Sequence, residues 1–266
     1  MHRTIALVVA ALVLTFSSAN PAGGAARPAA MTAHYAAAPL FGAGGGPASG
    51  AVAIVADSAR LDVYVSVSGL RPGSAYSATI RVGTCGEKKP VAYGLPVLSA
   101  NAGGTASLAA RVAPRALPFM GWYLTVTARD AAQTPVACGI LFGPDLTVQL
   151  GPARASGVSG VAIVLGNMDR RGAMAGHDQG ADVIVLTHGL PAGTVHAALL
   201  RAGACGGHGA ITYRLTSLAA DRKGNALAGT FLKNMQVLRP GMSLAIQDAQ
   251  MRPVACGNVT GHMPSM

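Results

Sequence analysis

Histidine, cysteine and carboxylate side chains are the groups in this chain that could do chemistry, and they are unevenly placed. His177, His188, His196 and His208 all fall in its second half. Imidazole nitrogens can hold copper or zinc, so a metal site could join His177 and Asp178 to His196 or His208. No pair of them has H-x-H or H-x-x-x-H spacing, and only folding could assemble such a site. Without a metal, His188 and His196 read as turn or edge residues, and His177 and His208 as solvated loop residues. The C-terminal GHMPSM adds His262, Met263 and Met266, which read as an untethered tail. Glu87 is the sole glutamate, and Asp57, Asp62, Asp130 and Asp145 are scattered over strand ends and turns without an acidic pair. There is no G-x-S-x-G, no H-E-x-x-H and no P-loop; GAGGG at 42–46 lacks the Lys-Ser/Thr that would make it one. Hydrolytic chemistry therefore has no visible machinery. The four cysteines, Cys85, Cys138, Cys205 and Cys256, are an even set that reads as disulfides rather than nucleophiles.

The elements that would position these groups are written twice. GLRPGSAYSATIRVGTCG (69–86) returns as GLPAGTVHAALLRAGACG (189–206), LDVYVSVSGL as ADVIVLTHGL, SGAVAIVA as SGVAIVL, and TPVACG as RPVACG. Tyr93, Leu95 and Leu98 recur as Tyr213, Leu215 and Leu218 at the same spacing. Identities that hold one register across strands and turns together mark a tandem duplication. The second copy carries an insertion, GNMDRRGAMAGHDQG (166–180), rich in loop residues. Period-two alternation, β-branched residues and Gly/Pro/Asn punctuation predict short strands throughout, hence an all-β chain of two sandwich or barrel repeats. Matching cysteine positions favour one disulfide within each repeat, Cys85–Cys138 and Cys205–Cys256, with cross-repeat pairing as the alternative. Closing a loop of about 50 residues stabilises each unit by about 4 kcal/mol in the chain-entropy view.

The predicted organisation is an export signal at 1–19, an Ala/Gly/Pro-rich spacer at 20–49, and repeat 1 at 50–143. A linker at 144–156, repeat 2 at 157–261 and a tail at 262–266 follow. The opening has a basic start (His2, Arg3), a short apolar run and a small-residue site near Ala19. That run is too short to span a bilayer, and no later stretch reads as a transmembrane segment. The protein is thus expected to be secreted, extracellular or periplasmic. The net charge of +10 invites anionic envelope or extracellular polymers. Basic residues are scattered singly and aromatics are few, so nucleic acid is not an expected partner.

The Gly-Leu turn, the Cys that follows it, the later x-x-G turn and the terminal V-A-C-G together resemble the copper–zinc superoxide dismutase superfamily. They also resemble the CHRD modules of secreted proteins. The resemblance spans both repeats and implies a Greek-key barrel, with the terminal Cys bonded to the Cys after the metal-binding strand. It implies copper held by an H-x-H pair on one strand face and by a later histidine. Counted from the glycines, the pair falls on Ala78 and Ile80, and on Ala198 and Leu200; the later ligand falls near Thr127 and Gln247. The interval for bridging and zinc ligands holds no histidine in repeat 1 and only His208 in repeat 2. The expectation is a non-catalytic tandem module with a binding or envelope-associated structural role and no cofactor. The alternative is a copper- or zinc-binding oxidoreductase or copper carrier with a rearranged site at His177, His196 and His208.

Overall fold

The computed structural model describes residues 33–57, 59–113, 121–166, 180–233 and 238–261. The expected export signal, His177 and Asp178 of the insertion, and the expected tail lie outside the described residues. Repeat 1 contains β1 (His34–Gly42), β2 (Ser49–Ala56), β3 (Leu61–Ser68), β4 (Ala75–Val82), β5 (Val91–Gly94), β6 (Leu98–Ser99), β7 (Ala106–Val112), β8 (Trp122–Ala128) and β9 (Pro135–Leu141). Repeat 2 contains β10 (Leu146–Pro152), β11 (Ser159–Gly166), β12 (Ala181–His188), β13 (Val195–Ala202), β14 (Ile211–Arg214), β15 (Leu218–Ala219), β16 (Ala226–Leu232), β17 (Met242–Gln247) and β18 (Pro253–Asn258).

Each repeat is one antiparallel sheet with the same order, β5-β4-β8-β9-β1-β2-β3-β7 in the first and β14-β13-β17-β18-β10-β11-β12-β16 in the second. The chain runs β1-β2-β3 as a meander, crosses to β4, returns to β3 with β7, then crosses back to β8 and β9. This is Greek-key connectivity. The short β6 pairs with β4 and lies beside β7, so the sheet nearly closes into a barrel.

Two predicted boundaries are corrected. The expected spacer contains β1, which pairs with β2 from His34↔Ala56 to Phe41↔Ser49 and with β9 at Phe41↔Cys138. The expected linker contains β10, the equivalent first strand of repeat 2. The physical reason for missing β1 lies in its burial. Ala36, Ala38 and Leu40 enter the barrel core while Ala37 is buried on the opposite face. A strand buried on both faces has no polar alternation to read, and Pro39 argues against a strand interior.

Inward-facing alternate residues build each core: Val52, Ile54, Val63, Val65, Ile80, Leu124 and Val126 in the first barrel, and Val164, Val183, Val185, Leu200, Leu244 and Ile246 in the second. The Gly-Leu turns clasp the barrel end. Gly69 and Gly189 have φ of +71° and +80°, and a Cβ at either would meet a backbone oxygen at 2.3 or 2.7 Å. The next residue donates its N–H across the end, Leu70 to Gly104 O at 2.9 Å and Leu190 to Gly224 O at 3.0 Å. The disulfides are Cys85–Cys138 and Cys205–Cys256, one per repeat, closing separations of 53 and 51 residues.

The two barrels share a third core. Ala37, Ala51 and Ala53 of repeat 1 pack against Val161, Ile163, Leu165, Ile184, Leu186 and Leu227 of repeat 2. Small side chains on one barrel receive large ones from the other; Gly229 is so close that a Cβ there would lie 3.3 Å from Ala51 Cβ. At the rim of this contact the Tyr64 and His188 rings meet at 5.2 Å, and Gln149 donates to the Tyr35 hydroxyl at 3.3 Å. Among the described residues no helix is long and apolar enough to cross a membrane.

Candidate functional site

Strand alternation sends consecutive side chains of β4 to opposite faces. Tyr76, Ala78 and Ile80 point into the barrel; Ser77, Thr79 and Arg81 point out. Ala78 and Ile80 are fully enclosed by the core, and so are Ala198 and Leu200 at the same places on β13. Thr127 stands on the outer face of β8, directly across from Ser77. Gln247 is buried on β17, across from Ala197. The six positions therefore do not surround one point: the four aliphatic residues are core, and Thr127 faces the opposite side of its sheet.

The candidate histidines separate as well. His196 occupies the place of Tyr76, is buried, and meets the Thr194 hydroxyl at 2.7 Å through Nε2, while its Nδ1 has no hydrogen-bond partner among the described residues. His208 is exposed on the loop beyond Ala202, at the other end of β13. Six residues of extended strand place these ends about 20 Å apart. His188 contacts Asn225 Oδ1 at 2.8 Å and belongs to the inter-barrel contact, where Asn225 is held by Asp221. Among the described residues no group of three or more His, Cys, Asp or Glu is placed to hold a metal ion.

One carboxylate is out of the ordinary. Asp182 on β12 is buried, and burial pushes its carboxyl up to about 6. Its counterpart Asp62 on β3 accepts from Arg111 Nε at 2.7 Å and lies 3.5 Å from Arg60 Nε. In repeat 2 those basic residues are replaced by Phe231, which stands opposite Asp182, and by Gly180. Among the described residues no basic side chain pairs with Asp182, so its burial weighs against the charged form.

A second candidate lies on the outer face of barrel 1. A groove of about 1290 Å³ runs over β4, β8 and β9, between the disulfide loop (Cys85–Lys88), the β1–β2 turn (Phe41–Gly44) and the β8–β9 turn (Arg129–Thr134). Ser77, Thr79, Thr125 and Thr127 form its floor in two cross-strand pairs, Ser77↔Thr127 and Thr79↔Thr125. Arg81 crosses the floor, donating to Thr79 Oγ1 at 3.3 Å and to the Lys89 carbonyl. The Tyr123 hydroxyl donates to the Glu87 carbonyl and ties the disulfide loop over one end. Sequence reasoning passed over this face. Its signal was the polar half of the alternation, S-x-T-x-R at 77–81 and T-x-T at 125–127, which reads as an ordinary solvated sheet face.

No family model matches this chain, and no curated protein matches it.

Proposed function

We propose that this protein is a secreted, non-catalytic pair of superoxide dismutase-like β-barrel modules that binds anionic polymers of the envelope or the extracellular space. The observation that carries the reading is that Ala78, Ile80, Ala198 and Leu200 are packed core residues in both barrels. The duplicated framework has kept its turns and disulfides, while the positions from which the resembled family grips copper carry aliphatic groups with no lone pair to offer. The Greek-key order and the bond from the segment after β4 to β9 support the resemblance. Two intact disulfides suit an oxidising compartment, and the +10 charge suits an anionic partner.

The test is retention of the exported protein on an immobilised polyanion as salt is raised. Retention at low ionic strength that collapses between about 0.05 and 0.5 M salt is expected, because screening removes a diffuse charge attraction. Passage straight through at low salt overturns the binding role. Superoxide dismutation above that of free copper in the same buffer, after refolding with copper and zinc, overturns the non-catalytic assignment.

A further inference from the structure

Resting on that reading, we propose that the outer groove of barrel 1 is the binding site, and that its ligand is an acidic oligosaccharide: an extended, polyhydroxylated chain carrying carboxylates. A volume of about 1290 Å³ open along its length suits a segment of polymer better than a compact metabolite. The floor presents four hydroxyls on two adjacent strands. They lie about 4.8 Å apart across the strands and about 6.7 Å apart along them. Those of Ser77, Thr125 and Thr127 have no intramolecular hydrogen bond among the described residues. A hydroxyl both donates and accepts, so this array can meet sugar hydroxyls and carboxylate oxygens alike.

Charge sets the sign of the ligand. Arg81, Lys88 and Arg129 line the groove, and none of them has an ion-pair partner among the described residues. Of the two carboxylates in the lining, Glu87 already accepts from the Thr84 N–H at 3.2 Å, leaving Asp130 at the rim.

Barrel 2 supplies the internal control. At the four equivalent places it carries Ala197, Leu199, Ala245 and Gln247, paired in the same register. Leu199, Ala245 and Gln247 are buried, so in barrel 2 this face is covered, and the groove with a hydroxyl floor belongs to barrel 1.

The test is calorimetric titration of the whole exported chain at low salt with a decameric oligogalacturonate, beside a neutral malto-oligosaccharide of equal length. Thr125→Val with Thr127→Val keeps shape and strand preference while deleting two hydroxyls, and is expected to weaken oligogalacturonate binding about tenfold. Arg129→Gln is expected to weaken it severalfold at low salt, with the difference fading as salt rises. Lys223→Gln removes the same charge from an exposed turn of barrel 2 and is expected to leave binding within about twofold. Binding by the parent that the valine pair does not alter, or that Lys223→Gln weakens as much as Arg129→Gln, overturns the groove while the polyanion reading stands. Equal affinity for the neutral sugar overturns the anionic class of ligand. No binding of oligogalacturonate overturns the groove proposal, and retention on the polyanion matrix then decides whether the broader reading falls with it.

Discussion

Barrel 1 and barrel 2 share strand order, turns and disulfide, yet their outer faces have gone separate ways. On β3, Asp62 is half-buried and gripped by Arg111 and Arg60. On β12, Asp182 lies under Phe231 without either arginine. On β4 and β8 the outward residues of barrel 1 are hydroxylated and line a groove, whereas the matching Leu199 and Ala245 of β13 and β17 are apolar and buried. Barrel 2 has also thickened the face it turns to its neighbour: Val161, Ile163 and Leu165 stand where barrel 1 has Ala51, Ala53 and Val55. The inner faces changed little because each side chain there must fit a closed volume. The outer faces were free to diverge, so function is to be sought where the copies differ.

The largest effect tests what the copies share. Replacing Cys85 and Cys138 with alanine, or Cys205 and Cys256, is expected to cost about 4 kcal/mol each time, because the closed loops are nearly equal in length. Denaturant midpoints check this, and a large inequality would mean that the barrels differ inside as well as outside.

Ile163→Ala is expected to cost about 3 kcal/mol by opening a cavity in the inter-barrel core. A loss below about 1 kcal/mol in urea unfolding would show that the barrels do not stabilise one another through this contact.

Asp182 sharpens the contrast through pH. Burial raises its carboxyl to about 6 in the folded chain, above the value of about 4 of an unfolded aspartate. The folded state then holds the proton more tightly, so this site imposes no penalty below about pH 4 and destabilises progressively as pH rises towards 6. The full penalty is at most about 3 kcal/mol. Asp182→Asn should match the parent near pH 4 and exceed it in thermal midpoint at pH 7. Asp57 and Asp248 are held low mainly by backbone N–H groups and work in the opposite sense, so the difference between variant and parent is the quantity to follow.

The smallest effect belongs to the partner of Asp62. Arg111 has a side chain 66% exposed, and Arg111→Ala should cost only about 0.5 kcal/mol, less at high salt. A loss comparable with the Asp182 effect would break the distinction between an ion pair with an exposed arginine and a buried carboxylate.

The expected export signal, the histidine of the insertion and the expected tail are readings of the sequence that lie outside the described residues. What the sequence by itself determined is the all-β duplicated framework. Alternating runs such as LDVYVSVS and the twin G-L and A-C-G landmarks encode strand, turn and cysteine partner through local geometry and spacing. Tertiary structure decided the rest. HYAAAPLFG became β1 only because β2, β9 and the neighbouring barrel bury both its faces, which erases the period that would announce it. Likewise Ser77, Thr79, Thr125 and Thr127 are remote in sequence and individually unremarkable. They become one floor because antiparallel register sets β4 beside β8, and register depends on contacts that no local stretch of chain contains.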